Sequence, residues 1–305
     1  MGALYSFLQS LIDYAGLFPP AKLTMERSVA EYEEARRSGY GWMLGRFICP
    51  ASRLAELGDA ASSAFPLSVI VETPVDARLW FIAARAAVES LRSFAPACLE
   101  FRLPKPTALR ETLEPNIAQL AVLLGNANLR NVPTFVEFPR EGRWGELLNG
   151  GIRSLSRAKM GAKIRCGGLT EDAFPTCEEI ADFIAACKEH AVPCKATAGL
   201  HHPVRHRDQV SGFLMHGFLN VVGAAVLTSS MELSRELIVE ILAEEDAAAF
   251  CFADGEFRWR GYKAEAAAIA AARREFFTAY GSCSFTEPID DLQSLGILKP
   301  LRAPT

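Results

Sequence analysis

Short apolar runs alternate with longer amphipathic segments along most of the chain. The short runs have the length and composition of buried strands, and apolar residues recur at helical spacing in the segments between them. Seven strand-sized runs follow one another along the chain: Met43–Cys49, Leu67–Glu72, Cys98–Leu103, Pro133–Phe138, Ala162–Cys166, Cys194–Ala198 and Ala248–Ala253. This alternation predicts a parallel sheet covered by helices.

An eighth strand is expected within Leu11–Phe18, ahead of a helix over Met25–Arg37. Eight β/α units in roughly 300 residues are typical of a (β/α)8 barrel of the TIM type, so we predict this α/β fold as a single domain. The last long helix is expected at Ala264–Tyr280, followed by a C-terminal extension, 281–305, that packs on the barrel. An open doubly wound sheet is the alternative, although no Gly-x-Gly-x-x-Gly turn follows an early strand.

The run at Ala248–Ala253 has a second interpretation. Asp254-Gly255, within the segment Phe252–Tyr262, is a dipeptide that favours a hairpin turn. A hairpin at this point would make the eighth barrel strand irregular.

Composition and charge narrow the functional classes. The chain has 305 residues, of which 50% are hydrophobic and 22% charged, and its net charge of −4 gives no general attraction to nucleic acid or anionic lipid. No apolar run approaches the ~20 residues that span a bilayer, and residues 1–20 lack the features of a secretory signal. The eight cysteines are scattered without a Cys-x-x-Cys pair, which indicates reduced thiols and a cytoplasmic protein.

Two segments carry a lysine inside a predicted strand that ends in a glycine turn. They are Gly161-Ala162-Lys163-Ile164-Arg165-Cys166-Gly167-Gly168 and Pro193-Cys194-Lys195-Ala196-Thr197-Ala198-Gly199. The two lysines are 32 positions apart, about one βαβ unit, so they belong to successive strands. A lysine in a buried parallel strand is costly unless it is paired or used, and two of them indicate a reactive site.

Polar residues collect where the predicted strands end. In a barrel of this type the chemistry takes place at the C-terminal ends of the strands, and residues two apart on a strand share a face. The strand-end residues are Asp13, Tyr14, Arg46, Glu72, Glu100, Arg102, Glu137, Arg140, Lys163, Arg165, Lys195, Thr197, His201 and His202. Two interpretations stay open, a single site or an ion-pair lattice that fills the barrel.

Lys163 is the leading nucleophile in this set. Only a neutral amine attacks a carbonyl carbon, and burial together with cations such as Arg165 and Lys195 lowers the pKa of a lysine. We therefore expect Lys163 to form a Schiff base without a cofactor, with Glu100 or Glu137 transferring protons. A small carbonyl or anionic substrate is expected to contact the other polar residues: Asp13, Tyr14, Arg102, Arg165, Thr197, His201 and His202.

The two lysine segments resemble the sixth and seventh strands of class I aldolases of the deoxyribose-phosphate aldolase type. The resemblance covers about 45 residues, and it implies that Lys163 is the Schiff-base lysine and that Lys195 is the second lysine, which tunes the first. Glu100 matches the acid on the fourth strand, which is usually aspartate in the family. The family's Lys-Thr-Ser-Thr-Gly is Lys163-Ile164-Arg165-Cys166-Gly167 here, and its phosphate-binding Gly-Gly-Ile-Arg turn is replaced by Ala198-Gly199-Leu200-His201-His202.

Other functions are compatible with the same residues. Glu100, Glu137 and one of His201 or His202 are ligand types for a divalent metal, which makes a metal-dependent isomerase or hydrolase the main alternative. The lysines and arginines are also suited to bind an anionic small molecule without chemistry. The alanine-rich last helix packs either on the barrel or on a second copy in a homo-oligomer, and the sequence leaves both open.

Overall fold

Eight parallel strands close into a barrel, which confirms the predicted (β/α)8 architecture. The computed structural model describes residues 2–60, 65–74, 76–91, 94–106, 112–140, 144–253 and 255–300. The barrel strands are β1 (Ile12–Tyr14), β2 (Leu44–Pro50), β3 (Leu67–Val71), β4 (Cys98–Arg102), β5 (Thr134–Glu137), β6 (Gly161–Arg165), β7 (Cys194–Thr197) and β13 (Phe277–Ser282). Their order around the barrel is the order in the chain, and β13 closes it between β7 and β1.

Five further strands in the described part of the chain lie outside the barrel. They are β8 (His206–Arg207), β9 (Leu214–Met215), β10 (Phe250–Ala253), β11 (Glu256–Trp259) and β12 (Tyr262–Glu265). The first two pair with each other, and the last three form an antiparallel sheet.

Helices cover the outer face of the barrel. They are α1 (Ala3–Leu8), α2 (Met25–Arg37), α3 (Leu54–Ala60), α4 (Ala77–Ser90), α5 (Glu114–Asn126), α6 (Trp144–Ala158), α7 (Cys177–Glu189), α8 (Phe218–Ser230), α9 (Arg235–Ala243), α10 (Ala266–Glu275) and α11 (Thr286–Ser294). Local sequence sets their starts, as at α7, where Thr176 and Glu179 form a reciprocal capping box. Among the residues described, no helix combines the length and the apolar character that a bilayer span needs.

The barrel closes with a different strand from the one the apolar pattern predicts. Ala248–Ala253 contributes β10, whose end is paired with Glu256 across a tight turn that contains Gly255 at φ +80°. Such a hairpin makes an antiparallel pair, whereas a parallel barrel strand needs a long crossover. The hairpin interpretation of Phe252–Tyr262 is therefore correct.

The true eighth strand lies inside the helix predicted at Ala264–Tyr280. The helix α10 ends at Glu275, and β13 begins at Phe277 and continues through Ser282. The alanine-rich start favours a helix, but Phe277, Thr278 and Tyr280 are aromatic and β-branched residues that favour a strand. The first two residues of the predicted extension 281–305 thus belong to the barrel, and 301–305 lie outside the described residues.

The register of the strands decides which side chains share a level inside the barrel. Lys163 on β6 is the direct neighbour of Lys195 on β7 and of Glu137 on β5. One level toward the C-terminal ends, Arg165 is the neighbour of Thr197. The predicted placement of the two lysines on successive strands is confirmed.

Candidate active site

Lys195 lies at the buried end of a group of charged side chains inside the barrel. Its Nζ donates to Asp13 Oδ2 at 2.7 Å and to Glu100 Oε1 at 2.7 Å, and all three residues have no exposed surface. The hydroxyl of Ser68 donates to the same Glu100 oxygen at 2.6 Å. Glu100 Oε1 therefore accepts two short hydrogen bonds at a fully buried position.

Lys163 is the direct neighbour of Lys195 on the adjacent strand. Its Nζ lies 3.0 Å from Glu100 Oε2 and 3.0 Å from Glu137 Oε2. Glu100 thus joins the two amines, one on each carboxylate oxygen. We call Asp13, Glu100, Glu137, Lys163 and Lys195 the lysine–carboxylate network.

Two arginines border this network at the end of the barrel formed by the C-terminal ends of the strands, which we call the mouth. Arg165 Nε donates to Glu137 Oε1 at 3.1 Å, and Arg102 Nε lies 3.8 Å from the same oxygen. Their side chains are 45% and 47% exposed, whereas the Lys163 side chain is 4% exposed. A molecule that enters from the mouth therefore meets the arginines before it reaches Lys163.

Among the described residues, positive charge exceeds negative charge around the network. Arg46 adds a further cation beneath it, because its Nη1 lies 3.6 Å from Asp13 Oδ2. The cations are Arg46, Arg102, Lys163, Arg165 and Lys195, and the carboxylates that they contact are Asp13, Glu100 and Glu137. At the mouth itself, Arg102 and Arg165 share one oxygen of Glu137, which suits the binding of an anionic group of a ligand.

The carboxylates hold both lysines in the charged form. Burial lowers the pKa of Lys163, but the charges of Glu100 and Glu137 outweigh it, and the pKa lies above its ordinary value. The pKa of Lys195 is raised in the same way, with Asp13 and Glu100 outweighing burial. Burial raises the pKa of Glu100, but the positive charges of Lys195 and Lys163 lower it by more. The pKa of Glu100 therefore lies below its ordinary value.

The prediction that neighbouring cations lower the pKa of Lys163 is therefore wrong. Its closest charged groups are the carboxylates of Glu100 and Glu137, 3.0 Å away on β4 and β5. Opposite charges at this distance favour the protonated amine more than burial disfavours it. In the resting protein the Lys163 amine is an ammonium group.

Tyr14 does not join the network, although it follows Asp13 directly. Its ring packs near Tyr32 and Phe47, and its hydroxyl donates to Glu31 on α2 at 2.7 Å. Successive side chains on a strand point to opposite faces, so Asp13 faces the barrel interior and Tyr14 the helical layer. Its predicted place at the rim is corrected accordingly.

The two predicted histidines are engaged by the last helix instead of by the network. The Nδ1 of His201 lies 3.0 Å from Glu287 Oε2, and the Nδ1 of His202 lies 2.6 Å from Asp291 Oδ2. Burial lowers the pKa of His201, but contacts with Cys283 and Glu287 outweigh burial and raise the pKa to about 10. Among the described residues no cluster of three or more His, Cys, Asp or Glu side chains is arranged to hold a metal ion, and the predicted combination of a histidine with Glu100 and Glu137 is not assembled.

Sequence reasoning missed Ser68 and left Arg46 outside the proposed site. Ser68 is fully buried and carries the one hydroxyl of the otherwise apolar strand β3. A single polar residue within an apolar strand is the sequence signal that could have identified it. Arg46 contacts Asp13 twice, through its backbone N–H at 2.8 Å and its guanidinium at 3.6 Å. Thr197, which was predicted, lies at the mouth beside Arg165 and is half-buried.

The chain is similar in fold to solved structures, one of which is a deoxyribose phosphate aldolase. No protein-family model matches the chain, and no curated protein matches it. A deoxyribose phosphate aldolase from Aeropyrum pernix, described as having a unique tetrameric structure, aligns over 95% of this chain and 93% of its own length at 14% identity, with a TM-score of 0.49.

Proposed function

We propose that this protein is a lyase of the aldolase type, in which the Lys163 amine forms a Schiff base with a small anionic carbonyl compound. The observation that supports this most is the position of Lys163 Nζ, 3.0 Å from each of two carboxylates and next to the mouth. An amine that must lose and regain protons during a reaction needs such partners within hydrogen-bonding distance.

The first step is a proton transfer. Lys163 passes a proton to Glu137, whose other oxygen faces the mouth arginines, and becomes a neutral nucleophile. Removing a proton from a lysine of ordinary pKa at pH 7 costs about 4.6 kcal/mol, and the raised pKa of Lys163 makes this step more costly. The reaction is therefore expected to accelerate as the pH rises.

The covalent steps follow from the neutral amine. The nitrogen forms a bond to the carbonyl carbon, and the carbonyl oxygen takes the proton from Glu137 and leaves as water after a second proton transfer. In the resulting iminium ion the bond between the α and β carbons breaks, its electron pair forms the carbon–carbon double bond of an enamine, and the π pair of the iminium group moves onto the nitrogen. The proton of the substrate's β-hydroxyl goes to the Glu137 carboxylate as an aldehyde leaves. Glu137 then returns that proton to the α-carbon of the enamine, and water hydrolyses the resulting iminium ion to release the second product from Lys163.

Arg102 and Arg165 are proposed to bind the acidic group of the substrate. Both guanidinium groups are about half exposed, and both share a single oxygen of Glu137, so donors remain available on each. A phosphate or carboxylate placed between them would hold the carbonyl group over Lys163. Thr197 at the same level is a candidate for a hydrogen bond to a substrate hydroxyl.

Lys195 acts through its neighbour in this proposal. It is fully buried, and its hydrogen bonds to Asp13 and Glu100 keep the Glu100 carboxylate ionised and fixed under Lys163. Its role is positioning, because its amine has no exposed surface through which a substrate can reach it.

Reductive trapping tests the proposal. The protein is incubated with glyceraldehyde 3-phosphate, glyoxylate, pyruvate or acetaldehyde, reduced with borohydride and mapped by mass spectrometry. One compound is expected to leave a stoichiometric adduct on Lys163, at a rate that increases between pH 7 and 9.5. Lys163→Arg keeps the ion pairs and should abolish that adduct, whereas Lys263→Arg, at an exposed pair with Glu256, should leave it unchanged.

The proposal fails if adducts form only on exposed lysines or form equally in Lys163→Arg. One observation favours a second candidate, an anion-binding protein without covalent chemistry: the ammonium state of Lys163 together with the two arginines. In that case phosphorylated compounds raise the melting temperature and no adduct appears. Cytoplasmic location and assembly of identical subunits are also proposals, and analytical ultracentrifugation measures the second.

A further inference from the structure

A cavity of about 690 Å³ opens at the end of the barrel opposite to the mouth. Its wall includes Leu44 at the start of β2, Pro66 and Ala97 just ahead of β3 and β4, and Thr278 near the start of β13. These positions are the N-terminal ends of the strands. The cavity is therefore separate from the mouth, where Arg102 and Arg165 lie.

Three arginines line this cavity: Arg46, Arg273 and Arg274. The other polar side chains of its described wall belong to serine, threonine and glutamine, and no acidic residue lines it. At the rim, Arg274 Nη2 pairs with Glu275 Oε1 at 2.7 Å, and its side chain is 68% exposed. The interior of the cavity thus presents positive charge and neutral hydrogen-bonding groups.

Arg273 is the most informative of the three arginines. The residue is 7% exposed, and its guanidinium donates to the backbone oxygens of Phe7 at 2.9 Å, of Gln9 at 3.2 Å and of Phe277. All three acceptors are neutral, and within the described part of the chain no carboxylate pairs with it. A buried cation without a counter-ion is costly, and an anion from solution removes that cost.

Donors remain on these arginines for such an anion. A guanidinium has five N–H groups, and the three bonds of Arg273 leave two of them. Arg46 is 27% exposed at its side chain and holds Asp13 through one nitrogen at 3.6 Å, which is longer than a good ion-pair hydrogen bond. Guanidinium groups in this arrangement suit an oxyanion with several oxygens.

We propose that this cavity is a second binding site, which takes a small phosphate-bearing anion at the N-terminal end of the barrel. The site does not depend on the reaction proposed for Lys163. It does touch the lysine–carboxylate network, because Arg46 contacts Asp13, and Asp13 Oδ2 accepts the hydrogen bond of Lys195. An anion that draws Arg46 away leaves Lys195 as the main cationic partner of Asp13.

Isothermal titration calorimetry with inorganic pyrophosphate, at constant ionic strength in a chloride buffer, tests this. Wild-type protein is compared with Arg46→Gln and Arg274→Gln at the cavity, with the mouth variant Arg102→Gln/Arg165→Gln, and with Arg235→Gln. The last is a matched control, because Arg235 pairs with Asp182 on the outer surface. Arg273→Gln is left out of the set, since it also removes three bonds that hold the backbone.

The expected result is one pyrophosphate per chain in this cavity, bound about tenfold more weakly by Arg46→Gln and about threefold more weakly by Arg274→Gln, in addition to any pyrophosphate at the mouth arginines, which the mouth variant removes. The control and the mouth variant should keep the wild-type affinity for this site. Absence of binding overturns the proposal. So does binding that survives in both cavity variants but is lost in the mouth variant, a result that leaves the function proposed for the mouth untouched.

Discussion

Replacing Glu100 with glutamine removes the charge that joins the two buried lysines. Glu100 accepts from Ser68 at 2.6 Å, from Lys195 at 2.7 Å and from Lys163 at 3.0 Å, and it has no exposed surface. The amide of glutamine keeps the volume, but its NH2 group must face an ammonium group. Each lysine keeps one other carboxylate, Asp13 or Glu137.

The size of the effect follows from that remaining pairing. Removing one partner of a buried ion pair lowers the free energy of unfolding by about 3–5 kcal/mol. Because each lysine keeps a second carboxylate, we expect Glu100→Gln to lower it by about 3 kcal/mol, the lower end of that range. A chain of this size loses about 2 °C of melting temperature per kcal/mol, so a fall of about 6 °C is expected. The lysine pKa values should fall as well, because Glu100 is a main cause of their increase.

Thermal unfolding followed by circular dichroism measures this change. Glu256→Gln is the matched control, because Glu256 pairs with Lys263 and Arg258 at the surface, where exposed ion pairs add little. Its melting temperature should stay close to that of the wild type. A Glu100→Gln protein that melts within about 1 °C of the wild type would refute the argument that this carboxylate holds the network together.

Two further predictions concern acid stability and the turn after β7. The pKa of Glu100 and that of Glu137 are lower in the folded than in the unfolded protein, so the two carboxylates stabilise the fold fully above the unfolded pKa of about 4.3, and this stabilisation is lost as the pH falls toward the folded pKa. The urea midpoint of the wild type should therefore fall more steeply below pH 4.5 than that of Glu100→Gln. Parallel curves for the two proteins would contradict this. Gly199 has φ +70°, and an added Cβ would lie 2.6 Å from the Cys166 carbonyl oxygen, so Gly199→Ala should lower the free energy of unfolding in urea by more than about 2 kcal/mol. Gly212 has φ +75° but an added Cβ there would meet open space, so Gly212→Ala should lower it by about 1 kcal/mol. Equal losses for the two glycines would show that the close contact is not felt.

The sequence was sufficient to place the lysines because that prediction depends on local spacing. One βαβ unit separates Lys163 from Lys195, and the alternation of strands and helices predicts that the two strands are neighbours. The same periodicity predicts that Lys163 shares a face of its strand with Arg165, and Lys195 with Thr197. The predicted positions of these lysines agree with the structure because the strands, the helix between them and the direction of each side chain follow from residues that are close in the sequence.

The protonation state of Lys163 was not predictable in the same way. It depends on distances of 3.0 Å between side chains of β4, β5 and β6, and these distances follow from the strand register and the side-chain rotamers. Neighbours in the sequence, such as Arg165, suggested the opposite sign for the pKa shift. The roles of Ser68 and Arg46 also depend on packing between strands that are distant in the chain.

The eighth strand was missed for a related reason. The alanines of Ala266–Glu275 have strong helix propensity, and the pattern gives little sign of where the helix ends and β13 begins. Pairing with β1 and β7 on both sides makes Phe277–Ser282 a strand, and those partners are far away in the sequence.

Glu100 holds two ammonium groups in one buried network, and the titration of the two lysines tests this most directly. The chain has eight lysines, so protein labelled with ¹³C at lysine Cε gives a spectrum simple enough to follow through a pH titration. Two signals, assigned to Lys163 and Lys195 by substitution with arginine, are expected to keep the chemical shift of an ammonium group beyond pH 10.5, after the exposed lysines have begun to titrate. A signal from either residue that titrates below pH 9 would contradict the account.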